Sequence, residues 1–246
     1  MIRSNALRSL ASMTCLAAGV LALTMGPGAC RTQAAPALAP KAAEWQLLAS
    51  DLPSSLMSVA ARSPGDVYAV GSDKGHGPLV LHYDGESWIR LDTHESGDLW
   101  WVQTLPDATI MAGAGAMVLR YDGKTRGKTR DDFTRLPTPG LAKQTIYGVW
   151  GKSGDDFYAV GSAAGRDGFV WHYHGAAFEA EKLPRNLPRT AAGELPGFFK
   201  VWGTGDDVWV VGSSGSFMHR KGTGPFEVVP TGTKETLFTI HGTPDR

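Results

Sequence analysis

The chain has 246 residues, 24 of them Lys or Arg and 24 Asp or Glu, so its formal net charge is zero. That balance argues against broad electrostatic attraction to nucleic acid or to an anionic membrane surface. The length suits one repeat domain, and 31 glycines with 8 tryptophans fit a turn-rich β architecture with large apolar wedges between sheets.

Residues 1–30 read as an export signal. Arg3 and Arg8 give a positive start, Leu10 to Met25 an apolar stretch, and Gly26-Pro27-Gly28-Ala29 a small-residue exit. The apolar stretch is too short, and too rich in Ala, Gly and Thr, for a spanning helix. Cys30 follows directly, and this placement resembles the end of a bacterial lipoprotein signal, in which the cysteine becomes the lipidated first residue. Pro27 stands where such signals carry an aliphatic residue, and cleavage after Ala34 with loss of Cys30 is the alternative. Cys15 lies within the apolar stretch and is removed either way, so the mature domain has no intramolecular disulfide. The expected location is outside the cytoplasm: an outer-membrane lipoprotein, or a periplasmic or extracellular protein. Any membrane attachment would run only through a lipid at Cys30. Residues 31–43, rich in Ala and Pro, form a tether.

Residues 44–246 carry a tandem repeat. Glu44-Trp45-Gln46-Leu47-Leu48 reads as a lone outer strand ahead of the first full copy. Four copies then align on Gly71, Gly113, Gly161 and Gly212, at steps of 42, 48 and 51 residues. Those steps match the roughly 40–50 residues of a four-stranded propeller blade. Each copy opens with a short apolar strand (Leu56 to Ala60, Leu99 to Val102, Ile146 to Gly151, Phe198 to Gly203), and the last two share Val-Trp-Gly around Trp150 and Trp202. A polar turn leads to a second strand such as Val67-Tyr68-Ala69-Val70 or Phe157-Tyr158-Ala159-Val160, whose β-branched and aromatic content suits a buried strand. A third strand, as in Leu79 to Tyr83 or Phe169 to Tyr173, runs into hairpin turns at Asp84-Gly85 and Asp122-Gly123. A fourth begins at Trp88, Phe133, Phe178 or Phe226. Leu237 to Gly242 reads as the first strand of a fifth copy. The expected fold is all-β and propeller-like: four four-stranded blades with partial strands at both ends, either a small ring with loose ends or part of a larger propeller. An ordinary β-sandwich is the alternative.

No catalytic, cofactor or metal constellation emerges from the residues. His82, His172 and His219 occupy corresponding places in their repeats, which points to a shared packing role rather than a metal ring. Lys124, Arg126, Lys128 and Arg130 form a basic insertion whose Gly-Lys-Thr steps lack the glycine and the helix of a phosphate loop, so it reads as a solvated hairpin tip. The doublets Asp155-Asp156 and Asp206-Asp207 recur at one turn and are expected to cap it. Asp84-Gly85-Glu86-Ser87-Trp88 resembles the structural aspartate-box turn of sialidase-like propellers, one residue short. Arg62, Arg90, Arg120 and Arg135 show no converging pattern of the kind that sialidase catalysis needs. Pro184 to Gly197 is a long irregular stretch, either a ligand-facing loop or a surface insertion.

The frame of Val-Trp-Gly, acidic turn, Val-Trp/Tyr-Ala/Val-Val-Gly, His-Tyr-Asp-Gly and Trp, over residues 44–242, resembles the repeats of secreted β-propeller proteins and lipoproteins of myxobacterial type. It is more distantly similar to the propeller of photosystem assembly factors. The resemblance implies a binding face where inter-strand loops converge around the axis, with a protein or glycan ligand. The expected function is a non-catalytic, envelope-associated binding module without cofactor or nucleic-acid partner. A sialidase-like or lyase-type glycan-active enzyme, and an inert propeller fragment, are the alternatives.

Overall fold

In a computed structural model of the protein, which describes residues 45, 47–123 and 132–243, the named elements are all strands. Sixteen strands form four antiparallel four-stranded sheets, each a simple meander in chain order. Blade one holds β1 (Leu56–Ser63), β2 (Asp66–Asp73), β3 (Pro78–Tyr83) and β4 (Trp88–Leu91). Blade two holds β5 (Leu99–Thr104), β6 (Thr109–Gly113), β7 (Val118–Tyr121) and β8 (Phe133–Arg135). Blade three holds β9 (Thr145–Ser153), β10 (Asp156–Ala163), β11 (Arg166–Tyr173) and β12 (Phe178–Ala180). Blade four holds β13 (Phe198–Thr204), β14 (Asp207–Gly212), β15 (Phe217–Arg220) and β16 (Phe226–Val228). The architecture is β-propeller-like, and a two-layer sandwich is ruled out by the four separate sheets.

Each blade is too thin to bury its own apolar faces, so the cores lie between blades. One cluster joins blades one and two through Tyr68, Val80, Leu99, Val102, Met111 and Leu119. A second joins blades two and three through Ile110, Val118, Ile146, Val149, Phe157 and Trp171. A third joins blades three and four through Val160, Leu187, Phe198, Val201 and Met218. The stacking follows chain order, which is what a tandem repeat with sticky faces dictates. Leu56 and Val59 mark where it begins. Their counterparts Leu99, Val102, Ile146, Val149, Phe198 and Val201 are no more than 1% exposed, whereas Leu56 and Val59 are 43% and 67% exposed.

The four repeat glycines share one steric cause. A β-carbon on Gly71, Gly113, Gly161 or Gly212 would fall on the backbone carbonyl of Ser55, Asp98, Thr145 or Gly197 respectively. In each blade the end of the second strand passes directly under the start of the first, and only hydrogen fits. Gly203 of the Val-Trp-Gly motif has a different neighbour: its β-carbon would strike the Trp150 ring of the preceding blade. Trp150 packs against the core of blades three and four, and Trp202 lies 5.2 Å from Trp209 across its own sheet.

The hairpin turns are those expected. Asp84 Oδ1 accepts hydrogen bonds from the Glu86 and Ser87 amides at 3.0 and 2.9 Å, and Gly85 takes φ of 97°. Asp84→Ala removes both, and a loss of about 1–2 kcal/mol is expected in urea unfolding. Asp122 accepts Arg120 Nε at 3.0 Å, and Gly123 beside it has φ of 69°.

Three expectations need correction. Trp45, Leu47 and Leu48 lie in no strand and are 103%, 86% and 76% exposed. The stretch from Leu237 is also outside any named strand, yet it sits on blade four as a first strand would: the Gly215 amide donates to Glu235 O, as the Ala116 amide donates to Gln144 O ahead of β9. The acidic doublets do not cap their own turn. Asp155 accepts from Arg120 of blade two and Asp206 from Lys152 of blade three, so they tie each blade to the one before it. Contacts divide the chain into Met1–Leu47 and Leu48–Arg246; the blades belong to the second unit. The expected signal with Cys30, the expected tether and the basic insertion at Lys124, Arg126, Lys128 and Arg130 lie outside the described residues.

Candidate functional site

The histidines are resolved by the register. His82, His172 and His219 stand opposite Tyr68, Tyr158 and Trp209 on the adjacent strand. Each imidazole stacks on its aromatic partner, with centroids 4.4, 3.9 and 4.6 Å apart. His82 and His172 each place Nε2 against the aspartate that opens the second strand, 2.8 Å from Asp66 and 2.7 Å from Asp156. His219 lies 3.5 Å from Asp207. This is one Asp–aromatic–His packing unit repeated three times, and it leaves the imidazoles committed within their own blades.

Blade two breaks the unit. Ala108, Ile110 and Arg120 occupy the three positions, and Arg120 turns outward to Asp122, Gly154 O and Asp155, at 3.0, 3.0 and 2.8 Å. Arg62 likewise reaches Leu105 O and Thr109 Oγ1 in the next blade. Arg90 donates to His76 O, and Arg135 pairs with Glu95. The four arginines therefore act separately, as clamps. A cavity of about 150 Å³ between Arg62, Tyr68, Asp107 and Tyr121 falls among these clamps, with Arg62 already paired to Asp66 and Asp107 to Arg120.

The inner edge of the array differs. β1, β5, β9 and β13 lie against one another in succession and line the axis of the stack. All four carry a β-bulge at the same place, with Met57, Trp100, Tyr147 and Phe199 as the unpaired extra residue. A bulge re-aims a side chain that the pleat would otherwise send into the inter-blade core. Here it lines up rings. Trp100 and Tyr147 stand 5.4 Å apart edge to face, Tyr147 and Phe199 5.4 Å apart, and Phe199 and Phe238 5.4 Å apart. Trp100, Tyr147 and Phe199 are partly exposed, and Phe238 is 71% exposed. The bulged residue is the second of β1, β5 and β13 and the third of β9, so the row lies at the end of the blades where the linkers between them arrive.

One residue further along, the column reads Ser58, Trp101, Gly148, Lys200. Lys200 crosses the bare Gly148 to place Nζ 3.3 Å from the centroid of the Trp101 ring. Gly148 makes this crossing feasible: a β-carbon there would lie 3.2 Å from Lys200 Cα. Among the described residues Lys200 has no hydrogen bond and no ion pair, and burial pushes its ammonium down to about 8. Trp101 Nε1 is buried and equally without a hydrogen-bond partner.

The long stretch from Pro184 to Gly197 is anchored rather than loose. Leu187 is 4% exposed in the core between blades three and four, with Leu183 and Leu195 packed beside it, and Arg166 bridges to Pro196. Its polar middle, turned by Thr190 and Gly193, is the part left to solvent.

No family model matches the chain, and no curated protein does. Among solved structures, the computationally designed Ika4 protein is similar at 14% identity and a TM-score of 0.49, over 73% of this chain and 99% of that one. The designed Ika8 protein is similar at 11% identity and 0.48, over 67% of this chain and 45% of that one. An extracellular domain of a hybrid two component system from B. thetaiotaomicron is similar at 10% identity and 0.49, over 73% of this chain and 25% of that one. This chain thus spans less than half the length of two of these three.

Proposed function

We propose that this protein is an exported, envelope-associated binding module of the secreted β-propeller repeat type, without catalytic activity. Its ligand, a protein or a glycan, lies across the row of Trp100, Tyr147, Phe199 and Phe238. The observation that carries this reading is the same bulge in four successive inner strands, with aromatic residues on three of them. Packing does not need it. The inter-blade cores are filled by the residues on either side, such as Leu99 and Val102, while the bulged rings stay partly in solvent. Rigid aromatic side chains held at a rim supply contact area at small entropic cost, which suits recognition. The leader and the cysteine at position 30 support placement at the envelope through a lipid.

The test is capture from envelope extracts and a glycan array, using the exported chain and a Trp100→Ala/Phe199→Ala variant. A specific ligand whose affinity falls at least about tenfold in the variant supports the reading. Hydrolase or lyase activity towards an envelope glycan, with no ligand that depends on the two rings, would overturn it in favour of a glycan-active enzyme.

A further inference from the structure

We propose that Lys200 and Trp101 form an anionic subsite beside the aromatic row, and that the ligand is an acidic saccharide whose carboxylate is held by the Lys200 ammonium while its sugar faces stack on the rings. This rests on the binding reading above and names its chemistry.

Three observations converge. First, the repeat itself is a control: the positions equivalent to Lys200 are Ser58, Trp101 and Gly148, so the blade has no structural use for a cation there. Second, Arg62, Arg120, Arg135, Lys152 and Arg220 pair with carboxylates and Arg90 with the His76 carbonyl, whereas Lys200 has neither kind of partner among the described residues. Its neighbour is the Trp101 face at 3.3 Å, which attracts a cation but leaves its three N–H donors unfilled. A half-buried ammonium without an anion costs stability, and its depressed pKa records that cost. An incoming carboxylate would relieve it. Third, Trp101 Nε1 is a buried donor without a partner among the described residues, adjacent in sequence to Trp100 of the row. Cation, orphan donor and aromatic platform therefore meet at one place on the axis.

The choice of saccharide over acidic peptide follows from the bulges. An extended peptide would dock by adding a strand to an inner edge, which demands a regular ladder of free amides and carbonyls. Every inner strand is interrupted at its bulge, and interrupted edges resist strand addition. Pyranose rings need no such ladder: they need apolar ring surface, and the partly exposed rings of the row supply it in an unbroken run of contacts 5.4 Å apart.

The experiment is a tryptophan-fluorescence titration of the full exported chain with four probes: an oligogalacturonate, the matched neutral galacto-oligosaccharide, a sulfated galacto-oligosaccharide and a poly-glutamate peptide. The expected result is tightest binding of the oligogalacturonate. Lys200→Met should weaken that binding about tenfold or more while leaving the weak neutral binding in place. Lys200→Gln serves as a second variant of different packing. Lys200→Met is also expected to unfold at a temperature no lower than the parent at pH 7, since it removes an unmatched charge and keeps the stem on Trp101. Equal binding of acidic and neutral saccharides, or an unchanged oligogalacturonate affinity in both variants, overturns the subsite but leaves the aromatic-row reading standing. Preference for the sulfated probe moves the subsite from carboxylate to sulfate recognition and overturns it as stated. Preference for the peptide overturns the saccharide assignment, and loss of fold in both variants gives Lys200 a structural role and overturns the proposal.

Discussion

Gly161→Ala is expected to destabilise the protein by about 3 kcal/mol or more, at or beyond the upper end of ordinary overpacking. The added methyl meets the Thr145 carbonyl oxygen, and it also lies 2.6 Å from Phe169 Cζ. A flexible side chain could swing aside, but the start of β9 cannot: Thr145 is bridged to Ala114 of blade two, and Ile146 behind it is fully buried. Relief therefore requires moving the innermost strand, and with it the contact between blades two and three. Urea unfolding measures the loss, with Gly65→Ala as control. A β-carbon on Gly65 meets its nearest atom at 3.4 Å, and an effect within about 1 kcal/mol is expected there. Similar small effects at both positions would show that the first and second strands are not in the close approach described.

That glycine column was legible before any coordinates, because four copies aligned on it, and the strand order followed from the alignment. What alignment could not supply was why a glycine must stand there. Its φ is unremarkable; the cause is a carbonyl contributed by a residue fifteen or sixteen positions earlier, such as Ser55 for Gly71 or Thr145 for Gly161. The Asp–aromatic–His unit had a readable signal that single residues concealed. Asp66 and His82 are 16 apart, as are Asp156 and His172, and the aromatic lies two positions after each aspartate. The repeat alignment puts the histidines in equivalent positions, but only the strand register brings the acid of the preceding turn beside them.

The aromatic row was less accessible. A β-bulge inserts a residue without changing local composition, so Phe198-Phe199-Lys200 reads as part of a plain apolar strand. Only the column of Met57, Trp100, Tyr147 and Phe199, one step past the apolar Leu56, Leu99, Ile146 and Phe198, hints at a second large residue in each repeat. Lys200 stands out only once Gly148 is seen to leave its path to Trp101 open. At the ends, Trp45-x-x-Leu48 and Leu237 to Gly242 carry strand-like patterns, but a strand exists only where a partner receives its hydrogen bonds.

Glu181→Ala is expected to cost about 3 kcal/mol at pH 7, because it strips the carboxylate from a mostly buried cation. Glu181 pairs with Arg220 across the boundary of blades three and four and lies 3.5 Å from His172 Nδ1. Arg220 also donates to Tyr158 Oη at 2.8 Å, and its Nε is buried without a hydrogen-bond partner among the described residues. Remove the acid, and that guanidinium keeps a single neutral acceptor. The penalty should depend on pH with a definite sign. The polar ring edge of His172 foremost, and the Arg220 charge with it, hold the Glu181 carboxyl below its ordinary value of 4.5, and this outweighs the opposing effect of burial. Its contribution is therefore complete above that value and disappears as pH falls through the lowered one in the folded protein. The gap in unfolding free energy between parent and Glu181→Ala should accordingly narrow as pH is lowered from 7 towards 3. Adding Arg220→Met to Glu181→Ala should recover much of the loss at pH 7, since it is the unmatched cation that costs stability rather than the missing acid. A double variant no more stable than Glu181→Ala, together with a gap that stays constant down to pH 3, would mean that Glu181 holds the blades by packing alone.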